Sequence, residues 1–63
     1  MEYYKSKGNR LYLNDNIFID TDDNQIMPNF VETDKRFYIP CSKGEFLKVY
    51  SDTIKKLDKL AGL

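Results

Sequence analysis

The segment SKGEFLKVYSDTIKKLDKLAGL, residues 42–63, decides how this chain folds. Ser42 and Glu45 have the S-x-x-E spacing of a capping box, in which each side chain bonds a backbone N–H at the start of a helix. Apolar side chains then recur at steps of four, four, three and four residues, at Phe46, Tyr50, Ile54, Leu57 and Ala61. This period predicts an amphipathic helix over residues 42–62, with Gly62 as its left-handed C-cap.

Short extended segments precede the helix. Residues 9–21 predict a β-hairpin, because Leu11-Tyr12-Leu13 and Ile17-Phe18-Ile19 flank Asn14-Asp15-Asn16, which tolerate the left-handed backbone of a tight turn. Residues 26–31 and 36–39 predict two further strands, the second of them ended by Pro40.

The order β-β-β-β-α predicts an α+β fold in which a small antiparallel sheet of three to four strands is covered by one C-terminal helix. Residues 1–63 are expected to form a single domain. Within it, residues 9–39 supply the antiparallel strands and residues 1–8 form either a loose arm or a short strand.

The size of the chain limits its core. A chain of 63 residues buries only about 60% of the surface that it exposes when unfolded. The usual reinforcements are disulfides, a metal or a second copy of the chain. Cys41 is the single cysteine and there is no histidine, so the sequence predicts neither an internal disulfide nor a structural zinc. We therefore expect a homodimer.

The charge balance restricts the partners. Ten basic residues match ten acidic ones, whereas a general nucleic-acid binder normally carries a clear positive excess. No apolar run approaches the roughly 18 residues that cross a bilayer, and no signal-peptide core follows Met1. We expect a cytoplasmic protein that binds no membrane and keeps its thiol reduced.

One polar segment resembles a calcium loop. Asp20, Asp22 and Asn24 match the first three ligand positions of an EF-hand, but Gln25 replaces the required glycine and Val31 replaces the closing glutamate. We interpret this segment as a solvated turn between two strands and expect no metal.

Catalytic devices are scarce. Cys41 lies just before a helix N-terminus, which lowers the pKa of a thiol, but no histidine exists to act as its base. Burial as a small apolar residue is the favoured interpretation of Cys41. No carboxylate pair has a recognisable catalytic setting and no glycine-rich phosphate loop occurs. The sequence predicts a protein that is not an enzyme and holds no cofactor.

Nine aromatic residues exceed what one interface between a sheet and a helix can cover, so the rings left outside are natural anchors for a protein partner. We assign Ile54, Leu57 and Ala61 to the core and leave open whether Phe46 or Tyr50 is the exposed ring. A different hypothesis is single-stranded nucleic acid held by a basic and aromatic stretch. That stretch comprises Tyr3, Tyr4, Lys5, Lys7, Arg10 and Tyr12.

Residues 32–60 resemble a phage protein family, the very small uracil-DNA glycosylase inhibitors of Bacillus phages with protein-primed replication. The resemblance is carried by Lys43-Gly44, Glu45-Phe46, Tyr50, Asp52-Thr53 and the run 54–60, together with Phe37-Tyr38 after an acidic and lysine-containing turn. It implies a homodimer that blocks the host repair enzyme by occupying its DNA-binding cleft.

The resemblance also implies roles for single residues. Phe46 and Tyr50 would form an apolar cup around a leucine of the enzyme, and Glu45 would stand in for a backbone phosphate. The expected partner-binding residues are Glu45, Phe46, Tyr50 and Asp52. Two alternatives stay open: modulation of a different host factor through the same aromatic surface, and the binding of single-stranded nucleic acid.

Overall fold

The predicted sheet and C-terminal helix are both present in the structure. This is a computed structural model that describes residues 2–28 and 34–61, without the side chains of Lys35 and Ala61. The elements are strands β1 (Tyr3–Ser6), β2 (Leu11–Leu13), β3 (Ile17–Asp20), β4 (Gln25–Pro28) and β5 (Tyr38–Cys41), a 3-10 turn (Lys35–Phe37), and helix α1 (Lys43–Ala61). The strands form one antiparallel sheet in the order β4-β3-β2-β1-β5. The α+β class is therefore confirmed.

The N-terminal segment is a strand and not an arm. β1 pairs with β2 on one side and with β5 on the other, so the sheet has five strands where the sequence predicted three to four. The sequence MEYYKSKG lacks the apolar alternation that marks a strand. β1 is therefore a strand because it pairs with β2 and β5, and not because of its own sequence pattern.

The hairpin of β2 and β3 is confirmed, but its turn is built differently from the prediction. Asn14 Oδ1 accepts hydrogen bonds from the backbone N–H groups of Asn16 at 2.7 Å and Ile17 at 2.8 Å. The side chain of Asn14 therefore closes the turn without left-handed backbone. The positive φ angles fall instead at Asn9 (56°) and Asn24 (53°), in the turns before β2 and before β4.

Both edge strands contain a proline. β5 begins after the 3-10 turn and runs through Pro40, which the sequence had predicted to end the strand. Pro28 ends β4 on the opposite edge, and the predicted continuation at residues 29–31 lies outside the described residues. Ile17, the partner of Pro28, uses both its backbone N–H and its C=O toward Asn14. The nitrogen of Pro28 therefore faces outward, the position in which a proline is tolerated.

The pairing register separates the two faces of the sheet, as the predicted alternation requires. Tyr12 pairs with Ile19 on the face that meets α1, while Leu13 pairs with Phe18 on the other face. Tyr12, Ile19 and Phe46 form the buried cluster between sheet and helix. Leu13 is fully buried on the second face.

The helix buries only part of its apolar stripe. Phe46 and Thr53 are buried, whereas Leu57 is 36% exposed and Leu60 is 60% exposed although both continue the same stripe. The assignment of Leu57 to the core is therefore wrong, and Ile54 is only half-buried. A helix of 19 residues is about 28 Å long, while a strand of four residues spans only about 13 Å. The helix thus extends past the sheet. The side chain of Ala61 and the C-cap at Gly62 lie outside the described part of the chain.

Candidate protein-binding surfaces

The start of α1 contains half of the predicted capping box. Ser42 Oγ accepts a hydrogen bond from the backbone N–H of Glu45 at 3.1 Å. The Glu45 carboxylate points elsewhere: its Oε2 lies 2.7 Å from Lys5 Nζ and accepts a hydrogen bond from the Tyr12 hydroxyl at 3.3 Å. Glu45 therefore joins the first turn of the helix to β1 and β2.

This arrangement shifts the pKa of each group in it. The hydrogen bond from Lys5 lowers the pKa of Glu45, and the same bond raises the pKa of Lys5. Burial, followed by the charge of Glu45, raises the pKa of Tyr12. Oε2 of Glu45 serves two donors, so Glu45 connects the first turn of the helix to the sheet.

Phe46 lies in the core. Its ring is only 2% exposed and packs against Tyr3, with ring centroids 4.9 Å apart at an interplanar angle of 48°. In this structure the Phe46 ring is therefore covered and does not form part of the apolar cup that the resemblance implies. The next residue, Leu47, is 47% exposed.

The four expected partner-binding residues do not form one surface. Tyr50 is half-buried against the core cluster, and Asp52 is exposed. Two residues that are two positions apart in a helix are rotated by about 200° around its axis. Tyr50 and Asp52 therefore lie on different sides of α1. Glu45 thus connects the helix to the sheet, and Phe46 belongs to the core. Tyr50 is half-buried beside the core, and only Asp52 is fully at the surface.

One flank of α1 faces the turn between β3 and β4. A groove of ≈ 310 Å³ lies between the end of the helix and this turn. Its lining residues, defined here as the turn-side groove, are Asn24, Lys56, Lys59 and Leu60. This contact orients the helix, because the opposite flank must then face the β5 edge of the sheet.

The opposite flank carries a row of apolar side chains. Leu47, Tyr50 and Ile54 follow the i, i+3, i+7 spacing of one helical ridge, and Ile39 lies on the helix-side face of β5 through its pairing with Lys5. Phe37, directly before β5, is 71% exposed. We define these residues, Phe37, Ile39, Leu47, Tyr50 and Ile54, as the β5-side surface. The spacing of Leu47, Tyr50 and Ile54 is visible in the sequence. It was not singled out there because Tyr50 and Ile54 also belong to the apolar stripe that contains Phe46.

No protein-family model, curated protein or solved structure matches this chain. In the described part of the chain, no helix combines the length and the apolar character needed to cross a membrane.

The N-terminal basic and aromatic stretch does not form an open stacking surface. Lys5 is paired with Glu45, and Arg10 Nη1 lies 3.3 Å from Asp22 Oδ2. Tyr12 is buried under the helix. Two of the three cations, Lys5 and Arg10, are therefore paired with carboxylates, and two of the three rings, Tyr3 and Tyr12, belong to or pack against the core cluster.

The segment that resembles a calcium loop is organised as a turn. Asp20 Oδ1 accepts hydrogen bonds from the backbone N–H groups of Asp22 at 3.0 Å and Asp23 at 3.4 Å. Asp22 in turn pairs with Arg10. Across residues 2–28 and 34–61, no group of three or more metal-ligating side chains is found.

Cys41 is half-buried at the end of β5. Burial raises the pKa of its thiol, and the Glu45 carboxylate raises it further. These effects oppose the lowering that the nearby helix N-terminus was considered to produce. The geometry fits an unreactive thiol packed beside the core cluster.

Proposed function

We propose that this chain is a small non-enzymatic binding protein of phage type that inhibits a host protein, and that this host protein is uracil-DNA glycosylase. The observation that carries the proposal is the β5-side surface, where Phe37 is 71% exposed and Leu47 is 47% exposed. Large apolar side chains exposed on one side of a molecule are typical of protein interfaces. The proposal includes a homodimer that acts in the host cytoplasm without a cofactor.

The β5-side surface supports a changed version of the mechanism that the resemblance implies. It lies within residues 37–54, inside the region that resembles the inhibitor family. An apolar side chain of the enzyme needs an apolar socket, and Leu47, Tyr50 and Ile39 are better placed to supply one than the buried Phe46. The exposed Asp58, one helical turn beyond Ile54, provides a carboxylate near this socket for a cationic rim.

A uracil-excision assay tests the proposal. Adding the purified protein at a near-stoichiometric amount is expected to abolish excision by the glycosylase. Leu47→Asp is expected to restore excision, because a carboxylate at the socket must be desolvated without a partner. Lys55→Ala is the matched control, since it changes the net charge by the same amount on the outer side of the helix. Unimpaired excision with the wild-type protein would overturn the proposal.

The same surface would also fit a different host factor, and a pull-down comparing wild type with Leu47→Asp separates the two cases. A host protein that is captured only by the wild type, together with unimpaired excision, would identify that other factor. Single-stranded nucleic acid is less well supported, because Lys5, Arg10 and Tyr12 are already engaged. We expect no binding to a labelled single strand at physiological salt.

A further inference from the structure

The turn-side groove has the features of a surface that pairs with itself. Leu60 projects at its rim and is 60% exposed, beside an open volume of ≈ 310 Å³. A cavity of about 150 Å³ is enough to hold a benzene molecule, so the groove has room for a leucine side chain. A projecting apolar side chain and a receiving groove therefore lie next to each other on one molecule.

The charges around the groove are of both signs. Lys56 and Lys59 line it on the helix side, and the turn that carries Asn24 also carries the exposed Asp22 and Asp23. Asp22 pairs with Arg10. Among the described residues, neither of the two lysines nor the Asp23 carboxylate forms an ion pair. Within the part of the chain that the structure describes, the groove thus has two lysines without an ion pair on the helix side, and the turn on its other side carries the exposed Asp23 next to the lining residue Asn24.

We propose that the turn-side groove binds the same groove of a second copy about a two-fold axis. Leu60 of each copy enters the groove of the other, and Lys56 and Lys59 of each copy lie opposite Asp23 of the other. A two-fold interface requires a self-complementary surface, in which residue i meets residue j and residue j meets residue i. This inference rests on the homodimer of the proposed function and names its interface.

A second copy fits this surface better than a partner of one charge sign. A purely acidic partner would be repelled by the turn, and a purely basic partner would be repelled by the two lysines, whereas another copy presents both signs in the required arrangement. The chain has a net charge of zero, which favours self-association. Pro28 and Pro40 occupy the edge strands, so pairing through the faces is favoured over pairing through the sheet edges.

Sedimentation equilibrium of the full chain tests the apolar part of the proposal. Wild type is expected to be a dimer, and Leu60→Asp is expected to raise the dissociation constant by roughly tenfold or more, because it removes a buried leucine and adds a desolvated charge. Leu47→Asp is the matched control: it makes the same change at an exposed leucine on the other flank of α1, and it should leave the dimer intact. Circular dichroism verifies that both variants remain folded.

A charge exchange tests the arrangement directly. Lys56→Glu with Lys59→Glu places acidic groups opposite Asp23, and Asp23→Lys places a cation opposite the lysines, so each variant alone should dissociate. An equimolar mixture of the two variants should form a heterodimer. In it, the two new glutamates face the new lysine, and the native Lys56 and Lys59 of one copy face the native Asp23 of the other. A protein that is monomeric at all concentrations would overturn the proposal, as would a dimer indifferent to Leu60→Asp or a mixture that stays dissociated. None of these measurements involves the glycosylase, so a negative excision assay leaves them unaffected.

Discussion

Glu45 Oε2 and Lys5 Nζ lie 2.7 Å apart and connect the first turn of α1 to β1 across 40 residues of sequence. The contact is partly shielded, because the Lys5 side chain is mostly covered while that of Glu45 is more open. The Tyr12 hydroxyl donates to the same carboxylate oxygen. The orientation of the helix on the sheet therefore depends on a polar contact as well as on the core cluster.

The stability of the fold should depend on pH through this pair. The pKa of Glu45 lies below its ordinary value of 4.5, so its contribution is complete above pH 4.5 and is lost as the pH falls through the lowered pKa. The pKa of Lys5 lies above its ordinary value of 10.5, so its contribution is complete below pH 10.5 and is lost as the pH rises through the raised pKa.

Glu45→Gln isolates the acidic side of this dependence. Wild type should be the more stable of the two at pH 7, and the difference should shrink as the pH falls below 4.5, the ordinary pKa of the carboxyl group. Urea denaturation at a series of pH values measures it. Asp52→Asn makes the corresponding change at an exposed carboxylate and should keep the wild-type profile. A constant difference between wild type and Glu45→Gln down to pH 3 would contradict the role of the pair.

Phe46→Ala should destabilise the fold rather than only weaken binding. Removing a buried phenylalanine ring typically costs about 3–5 kcal/mol, which is a large part of the stability of a small domain. Leu47→Ala, at the exposed neighbouring position, should change the free energy of unfolding by less than about 0.5 kcal/mol. Urea denaturation compares the two. Equal effects would show that Phe46 is not a core residue.

Asn14→Ala should weaken the turn between β2 and β3. The side chain is buried and accepts from the backbone N–H groups of Asn16 and Ile17, so its removal leaves donors unpaired at a cost of about 1–3 kcal/mol. Asn16→Ala changes an exposed side chain in the same turn and should have little effect. Thermal unfolding followed by circular dichroism distinguishes the variants, and equal melting temperatures would contradict the assignment.

Cys41 should react slowly with thiol reagents in the folded protein. Its raised pKa, caused first by burial and then by the Glu45 carboxylate, reduces the thiolate fraction at pH 8. The rate of reaction with a disulfide reagent should rise in denaturant, and it should also rise in folded Glu45→Gln. Asp52→Asn provides the control. A folded rate equal to the unfolded rate would show that the thiol is not shielded.

The parts of the fold that depend on local sequence were predictable. The helix follows from the spacing of its apolar residues and from Ser42, and the β2–β3 hairpin follows from two alternating segments around a polar turn. β1 could not be recognised in this way, because its pairing with β2 and β5 is what makes Tyr3 and Lys5 part of a sheet.

The candidate sites depended on contacts that periodicity cannot show. The spacing placed Phe46 and Leu57 on one stripe, but the length of the sheet beneath the helix decides that Phe46 is buried and Leu57 is exposed. Similarly, the capping box predicted the position of Glu45 but not its partner, because Lys5 is far away in the sequence. The two flanks of α1 became distinct only once Asn24 was placed beside Lys56 and Leu60.

The prolines in the two edge strands also affect whether the protein aggregates at high concentration. Pro28 offers no donor to an incoming strand, and Pro40 removes one from the other rim. Each proline therefore disfavours the ordered addition of further chains at its edge of the sheet, which is the step that begins amyloid growth. Concentrated wild-type protein should give no fluorescence increase with an amyloid-binding dye. The double variant Pro28→Val with Pro40→Val restores a backbone donor at each edge strand and should form fibrils more readily.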